Sequence, residues 1–147
     1  MNLNIRRCAY LLAALCALSA YSFAETPKAC SNATLAGSYG YSVHGTNLEA
    51  KFDFVMVGNF ETDSQGTFNG TESESVNGKV ARGPFTGTYA VRPDCSGSAK
   101  LKFLKSNVEV LLDFVLVANG NEMYIIDMGG GNVEFGEGKR QFWNNKQ

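Results

Sequence analysis

The chain carries one histidine, one tryptophan, three prolines and four cysteines in 147 residues. Each scarcity closes off a class of chemistry. A single histidine, His44, and no nucleophile elbow leave no Ser-His-Asp set to assemble. Standing alone between Val43 and Gly45, His44 reads as a surface or rim residue. Without a second histidine or a C-x-x-C pair, zinc and thiol-redox sites lack their usual ligands. A formal net charge of −1 offers no basic footprint for nucleic acid or an anionic membrane surface. Helical apolar periodicity is nearly absent.

Long apolar runs are absent too. The one stretch of note, Cys8 to Ala20, falls short of the roughly 20 residues that span a bilayer as a helix. It follows Arg6 and Arg7 and precedes Ser22-Phe23-Ala24, the small-x-small form that signal peptidase reads. This three-part layout predicts a secretory signal over residues 1–24 and one domain over 25–147, periplasmic or extracellular. Cys16 follows Leu15, where a lipoprotein signal needs a small residue. Cleavage removes Cys8 and Cys16 and leaves Cys30 and Cys95, an even count that reads as one disulfide. A loop of about 65 residues closed this way is worth roughly 4 kcal/mol in the chain-entropy model. The remaining chain has 11 basic and 14 acidic residues.

What is present in quantity is glycine, 16 in all, between short runs of Val, Phe, Tyr, Thr and Ile that mostly alternate with polar residues. That pattern predicts antiparallel strands joined by tight turns. Eight are expected: Leu35–His44, Lys51–Thr62, Thr67–Ser75, Lys79–Arg92, Ser98–Lys105, Glu109–Ala118, Glu122–Met128 and Val133–Trp143. Asn77-Gly78 is a strong hairpin signal, and Gly83-Pro84 suggests an edge or a bulge. Consecutive hairpins of this kind make either an up-and-down barrel or a sandwich, and the even strand lengths favour the barrel.

One internal echo bears on the interior. Asp53-Phe54-Val55-Met56-Val57-Gly58-Asn59 reappears 60 residues later as Asp113-Phe114-Val115-Leu116-Val117-Ala118-Asn119. In each copy one face tapers from large to small, Phe52, Phe54, Met56, Gly58 and Leu112, Phe114, Leu116, Ala118, as a narrowing barrel interior requires. Asp53 and Asp113 occupy matching positions. Pointed inward they would form a polar carboxylate pair, and pointed outward they are solvated. Glu72 and Glu74 alternate with serines and read as solvent-facing. Gly129-Gly130-Gly131 lacks the Lys-Ser/Thr of a phosphate loop and reads as a hinge or wide turn. No cofactor, metal or catalytic set is expected.

The segments Cys30-Ser31-Asn32-Ala33-Thr34-Leu35-Ala36-Gly37-Ser38-Tyr39-Gly40-Tyr41, Gly87-Thr88-Tyr89 and Asp94-Cys95-Ser96-Gly97 resemble a group of exported bacterial small-barrel proteins. That group is similar to the calycin barrels, including the allene-oxide-cyclase-like and lipocalin-like folds. The resemblance implies an all-β, eight-stranded antiparallel up-and-down barrel whose first strand lies near the fourth-to-fifth turn, bringing Cys30 beside Cys95. It transfers no catalytic set from the cyclases.

Three functional readings follow. The first is a barrel that binds a small apolar ligand, with Tyr39, Tyr41, Phe52, Phe54, Met56, Phe114 and Leu116 as pocket candidates. The second is a protein-binding envelope module, an inhibitor or adaptor, using loops such as Thr46–Ala50 and Gly129–Asn132. The third is a cyclase- or isomerase-like enzyme with an apolar pocket. Insertion as an outer-membrane barrel is not expected, because the strands are short and glycine-rich and lack a lipid-facing band.

Overall fold

A computed structural model describes residues 29–142. The expected signal segment 1–24 and the outermost residues of the expected domain lie outside the described residues. Eight strands form: β1 Gly37–Asn47, β2 Phe52–Thr62, β3 Thr67–Val76, β4 Lys79–Val91, β5 Ser96–Phe103, β6 Glu109–Val117, β7 Glu122–Asp127 and β8 Asn132–Arg140. Each pairs antiparallel with the next, and β8 returns to β1, so the sheet closes into a barrel. The eight expected strands are all found, with ends shifted by a few residues. Leu35 departs from expectation: it ends a one-turn helix, α1 (Asn32–Leu35), instead of starting β1.

Closure rests on a repeated device. Inward-facing glycines leave gaps in one strand, and a large side chain from the next strand lies over each gap. A Cβ on Gly45 would meet the Phe54 ring at 2.7 Å, one on Gly58 the Tyr41 ring at 2.6 Å, and one on Gly70 the Phe85 ring at 2.5 Å. Phe68 covers Gly87 and Phe114 covers Gly97 in the same way. Glycine lets the wall bend sharply, and the ring supplies the apolar contact that the glycine lacks. Phe54 and Phe114, matched in the internal echo, play the same part on opposite walls, β2 and β6.

One end of the barrel is sealed. Leu35 of α1 is buried there, and the Tyr39 hydroxyl donates to the Gly120 carbonyl at 2.5 Å. Arg140, the last residue of β8, lies 4.8 Å from the centre of the Tyr39 ring. Its guanidinium donates to the carbonyls of Ala36, Thr34 and Gly120 at 2.6, 2.9 and 3.2 Å. The Tyr89 hydroxyl donates to backbone carbonyls of Asp63 and Asn32.

The Cys30–Cys95 disulfide forms, with Cα atoms 5.0 Å apart. It ties the segment before β1 to the β4–β5 turn, where Cys30 N–H also donates to the Pro93 carbonyl at 3.1 Å. This corrects the implied layout in one respect. The plug segment, not the first strand, sits beside that turn, because β1 itself is fully occupied between β2 and β8.

The opposite end is open and uneven. β4 pairs with β5 only from Phe85 onward, so residues 79–84 project beyond that pairing with β3 as their strand partner. Pro84 falls on this local edge, as its missing N–H requires. Asn77 and Gly78 make the two-residue hairpin at its tip with φ of 48° and 79°.

Removing the cross-link tests how far the plug depends on it. The double substitution Cys30→Ser, Cys95→Ser should lower unfolding free energy by about 4 kcal/mol, read from urea titrations, with native far-UV circular dichroism retained at low denaturant.

Candidate functional site

Strand alternation decides what faces the interior. On β1 the inward set is Tyr39, Tyr41 and Val43; on β2 it is Phe52, Phe54, Met56, Gly58 and Phe60. The interior is not filled. A cavity of about 480 Å³ runs from the open end toward the plug, within the range that holds drug-sized molecules. Its floor is apolar, with Leu35, Phe68, Tyr89, Leu101, Phe114 and Ile125. At the mouth stand Asn47, Phe52, Ser106, Val108 and Asn132.

The mouth is ordered by polar contacts. The Asn47 amide donates to Asn132 Oδ1 at 2.9 Å, and the Asn132 amide donates to Asp127 Oδ2 at 2.8 Å. Leu48 N–H donates to the Gly131 carbonyl at 2.7 Å, so the loops Thr46–Ala50 and Gly129–Asn132 are joined in one rim. Gly130 and Gly131 take φ of 72° and 81°, making a pinned turn.

Five of the seven apolar residues singled out from sequence line the cavity: Tyr41, Phe52, Phe54, Met56 and Phe114. Tyr39 and Leu116 do not. Tyr39 is completely buried in the sealed end, and Leu116 is buried near it. The aspartates do not meet. Asp53 and Asp113 point outward from β2 and β6, on opposite walls, and Asp53 accepts a hydrogen bond from Thr46 Oγ1 at 2.7 Å. The parity that puts Phe54 and Phe114 inside puts both carboxylates outside. His44 is also outward, mid-strand and edge-on to Phe135 at 5.9 Å.

The acids inside are others. Glu72 and Glu74 face the cavity, which corrects their reading as solvent-facing, and Glu134 on β8 joins them. They share strand parity with Phe68, which is buried inside. Burial, and then the charge of Glu74, push the Glu72 carboxyl up to about 7. Burial and then Asp127 push Glu134 up to about 7. Tyr41 is raised above its ordinary range by burial first, then by the negative fields of Glu72 and Glu134. One carboxyl oxygen of Glu72 is fully buried and has no hydrogen-bond partner. Among the described residues, no group of three or more His, Cys, Asp or Glu is placed to hold a metal ion.

The fold and cavity define a calycin-like barrel: eight antiparallel strands, closed, plugged at one end and hollow. No protein-family model matches the chain, and no curated protein matches its sequence. Among solved structures it is similar to the redesigned β-barrel b11L5F_LGL, at 17% identity and a TM-score of 0.50, over 76% of this chain and 95% of that one. It is likewise similar to the redesigned barrel mFAP0 bound to DFHBI, at 12% identity and a TM-score of 0.51, over 73% and 99% of the two chains. At such identities the likeness is one of fold.

The raised carboxyls have a measurable consequence. Between pH 4.5, the ordinary glutamate value, and about 7, the folded protein keeps protons on Glu72 and Glu134 that the unfolded chain has released. The folded state binds more protons in that window, so stability falls as pH rises through it. Glu72→Gln should flatten part of this decline. At about pH 8 it should stabilise the protein by about 1 kcal/mol, since water in the open cavity screens some of the burial cost. Urea midpoints measured against pH check both the sign and the size.

Proposed function

We propose that this is an exported barrel that binds a small, largely apolar molecule in its interior. The observation that carries the reading is the hollow, apolar, single-mouthed cavity of about 480 Å³. A side chain-filled core would have served stability better, since empty apolar space forfeits packing contacts. Tyr41, Phe52, Phe54, Met56 and Phe114 are the side chains proposed to touch the ligand. The disulfide forms and persists in an oxidising compartment, which supports export. mFAP0, solved with DFHBI, supports the capacity of this architecture to hold a small molecule.

The distribution of side chains supports action away from the lipid core. The outer face is mixed: Asp53, Asn59, Glu61, Lys100 and Lys139 stand on it among exposed Val55, Val57, Val115, Ile126 and Phe135. A transmembrane barrel carries a continuous apolar band outside.

A second reading, docking of an envelope protein, is favoured by one outer feature. Val55, Phe135 and Ile126 are aligned across β2, β1, β8 and β7 through His44, and each is about half exposed. A pull-down from cell-envelope extract should then recover a partner that Phe135→Glu releases, and capture that survives the substitution removes this surface.

The cavity reading is tested with N-phenyl-1-naphthylamine, a neutral apolar fluorophore. The purified protein should bind it saturably, with a Kd on the order of micromolar. Ala99 lines the cavity from β5. Ala99→Phe should weaken binding about tenfold by occupying that space, with thermal unfolding at least as high as in the parent. Absence of saturable binding rejects the reading.

A further inference from the structure

The cavity has a sign. Among the described residues that line it there are three carboxyls, Glu72, Glu74 and Glu134, and no lysine, arginine or histidine. Glu72 lies deepest of the three in the register. It stands in line with Gly58 on β2 and Gly83 on β4, so neither neighbouring strand sends a side chain over it. The Tyr41 ring lies across Gly58 on that side. Phe60 and Phe85 lie one inward position deeper, their ring centres 5.8 and 6.0 Å from that of Tyr41.

The charged groups around Glu72 are accounted for element by element. β3 adds Glu74, β8 adds Glu134, β1 adds the Tyr41 hydroxyl, and β7 ends in Asp127 beside Glu134. Two basic residues, Arg82 on the β4 overhang and Lys105 in the turn after β5, line an outer hollow that Glu72 also reaches. The Lys105 methylene chain lies 3.4 Å from the position a Cβ would take on Gly83, but its ammonium donates to the Arg82 carbonyl at 2.6 Å. The one ion pair among the described residues is Lys100–Glu109, on the outer surface. Glu72 therefore keeps a fully buried oxygen with no donor. Such an orphaned acceptor lowers stability unless something supplies the missing hydrogen bond.

A ligand can supply it, and the surroundings narrow its chemistry. A carboxylate or phosphate would meet three acids. An alcohol would satisfy one oxygen and leave the field of Glu74 and Glu134 uncompensated. A protonated amine donates the hydrogen bond and neutralises charge, and the faces of Tyr41, Phe60 and Phe85 attract a cation as well. Below Glu72 the floor is apolar, so the rest of the molecule has a dry place to lie.

We infer that the ligand class is an apolar amine, bound as its ammonium ion with the nitrogen at Glu72 and its hydrocarbon or aromatic body in the floor of the cavity. This rests on the cavity-binding reading and deepens it. Glu74 and Glu134, nearer the mouth, draw the cation inward. Ligand binding and carboxyl ionisation are coupled, so affinity rises as pH rises through the range where the cavity acids lose their protons.

Three compounds of one shape separate the alternatives: 4-phenylbutylamine, 4-phenylbutanol and 4-phenylbutyrate, each displacing N-phenyl-1-naphthylamine from the purified protein. At about pH 8 the amine should compete about tenfold better than the alcohol, and the acid should be weakest. At about pH 5.5 the amine's advantage should shrink several-fold. Glu72→Gln should remove most of that advantage at about pH 8, read as the ratio of amine to alcohol competition in the same variant. Equal competition by amine and alcohol overturns the amine inference while the cavity reading stands. So does an amine preference untouched by pH and by Glu72→Gln. If the fluorophore and all three compounds fail to bind, the cavity reading falls and the inference falls with it.

Discussion

The constraint on which the rest of the structure depends is the fit of a ring over a glycine on the neighbouring strand. Eight strands can close only if the wall bends, and bending brings backbones too near for a Cβ at the inward positions. Gly45, Gly58, Gly70, Gly87 and Gly97 clear those positions, and Phe54, Tyr41, Phe85, Phe68 and Phe114 cover them. The same rings line the cavity, so closure and the apolar lining come from one arrangement. Gly136 and Gly138 repeat it on β8 with Val43 and Met123.

Much of this was legible in the sequence. Alternating runs and turn residues located all eight strands, and the count of cysteines beyond the expected signal segment pointed to Cys30 with Cys95. The large-to-small taper of Phe52, Phe54, Met56 and Gly58 identified the inner face of β2. The helix α1 was not legible, because one turn is too short to display a period. The inward acids were missed for a different reason. Along Glu72-Ser73-Glu74-Ser75 both faces are polar, so hydropathy alone has nothing to choose between. Counting in twos from Phe68 through Gly70 places both glutamates inside, and that signal was available. On β8 the inner neighbours of Glu134 are Asn132 and glycines, so no apolar side chain marks that face as the inner one.

The two ends of the barrel divide the labour. At the sealed end the Arg140 guanidinium, the Tyr39 hydroxyl and the Tyr89 hydroxyl each bridge segments distant in sequence. Deep burial and satisfied hydrogen bonds go together there. At the mouth half the pattern reverses. Carboxyls stand in an apolar wall, one oxygen goes without a donor, and two ionisation equilibria move toward neutrality. Stability is concentrated where the plug sits, and unspent polar capacity is concentrated where solvent and solutes enter.

The overhanging β3–β4 hairpin carries a further consequence. Beyond Phe85, β4 no longer pairs with β5, and an unpaired strand edge invites another chain to add itself there. Here that edge is blunted at successive positions. The Pro84 nitrogen has no hydrogen to offer, the Pro84 carbonyl is taken by Leu104 N–H at 3.0 Å, and the Arg82 carbonyl is taken by Lys105. An incoming strand would find one donor missing, two acceptors occupied and a positive charge in its path. The one gap in an otherwise closed wall is thereby protected against runaway edge-to-edge assembly.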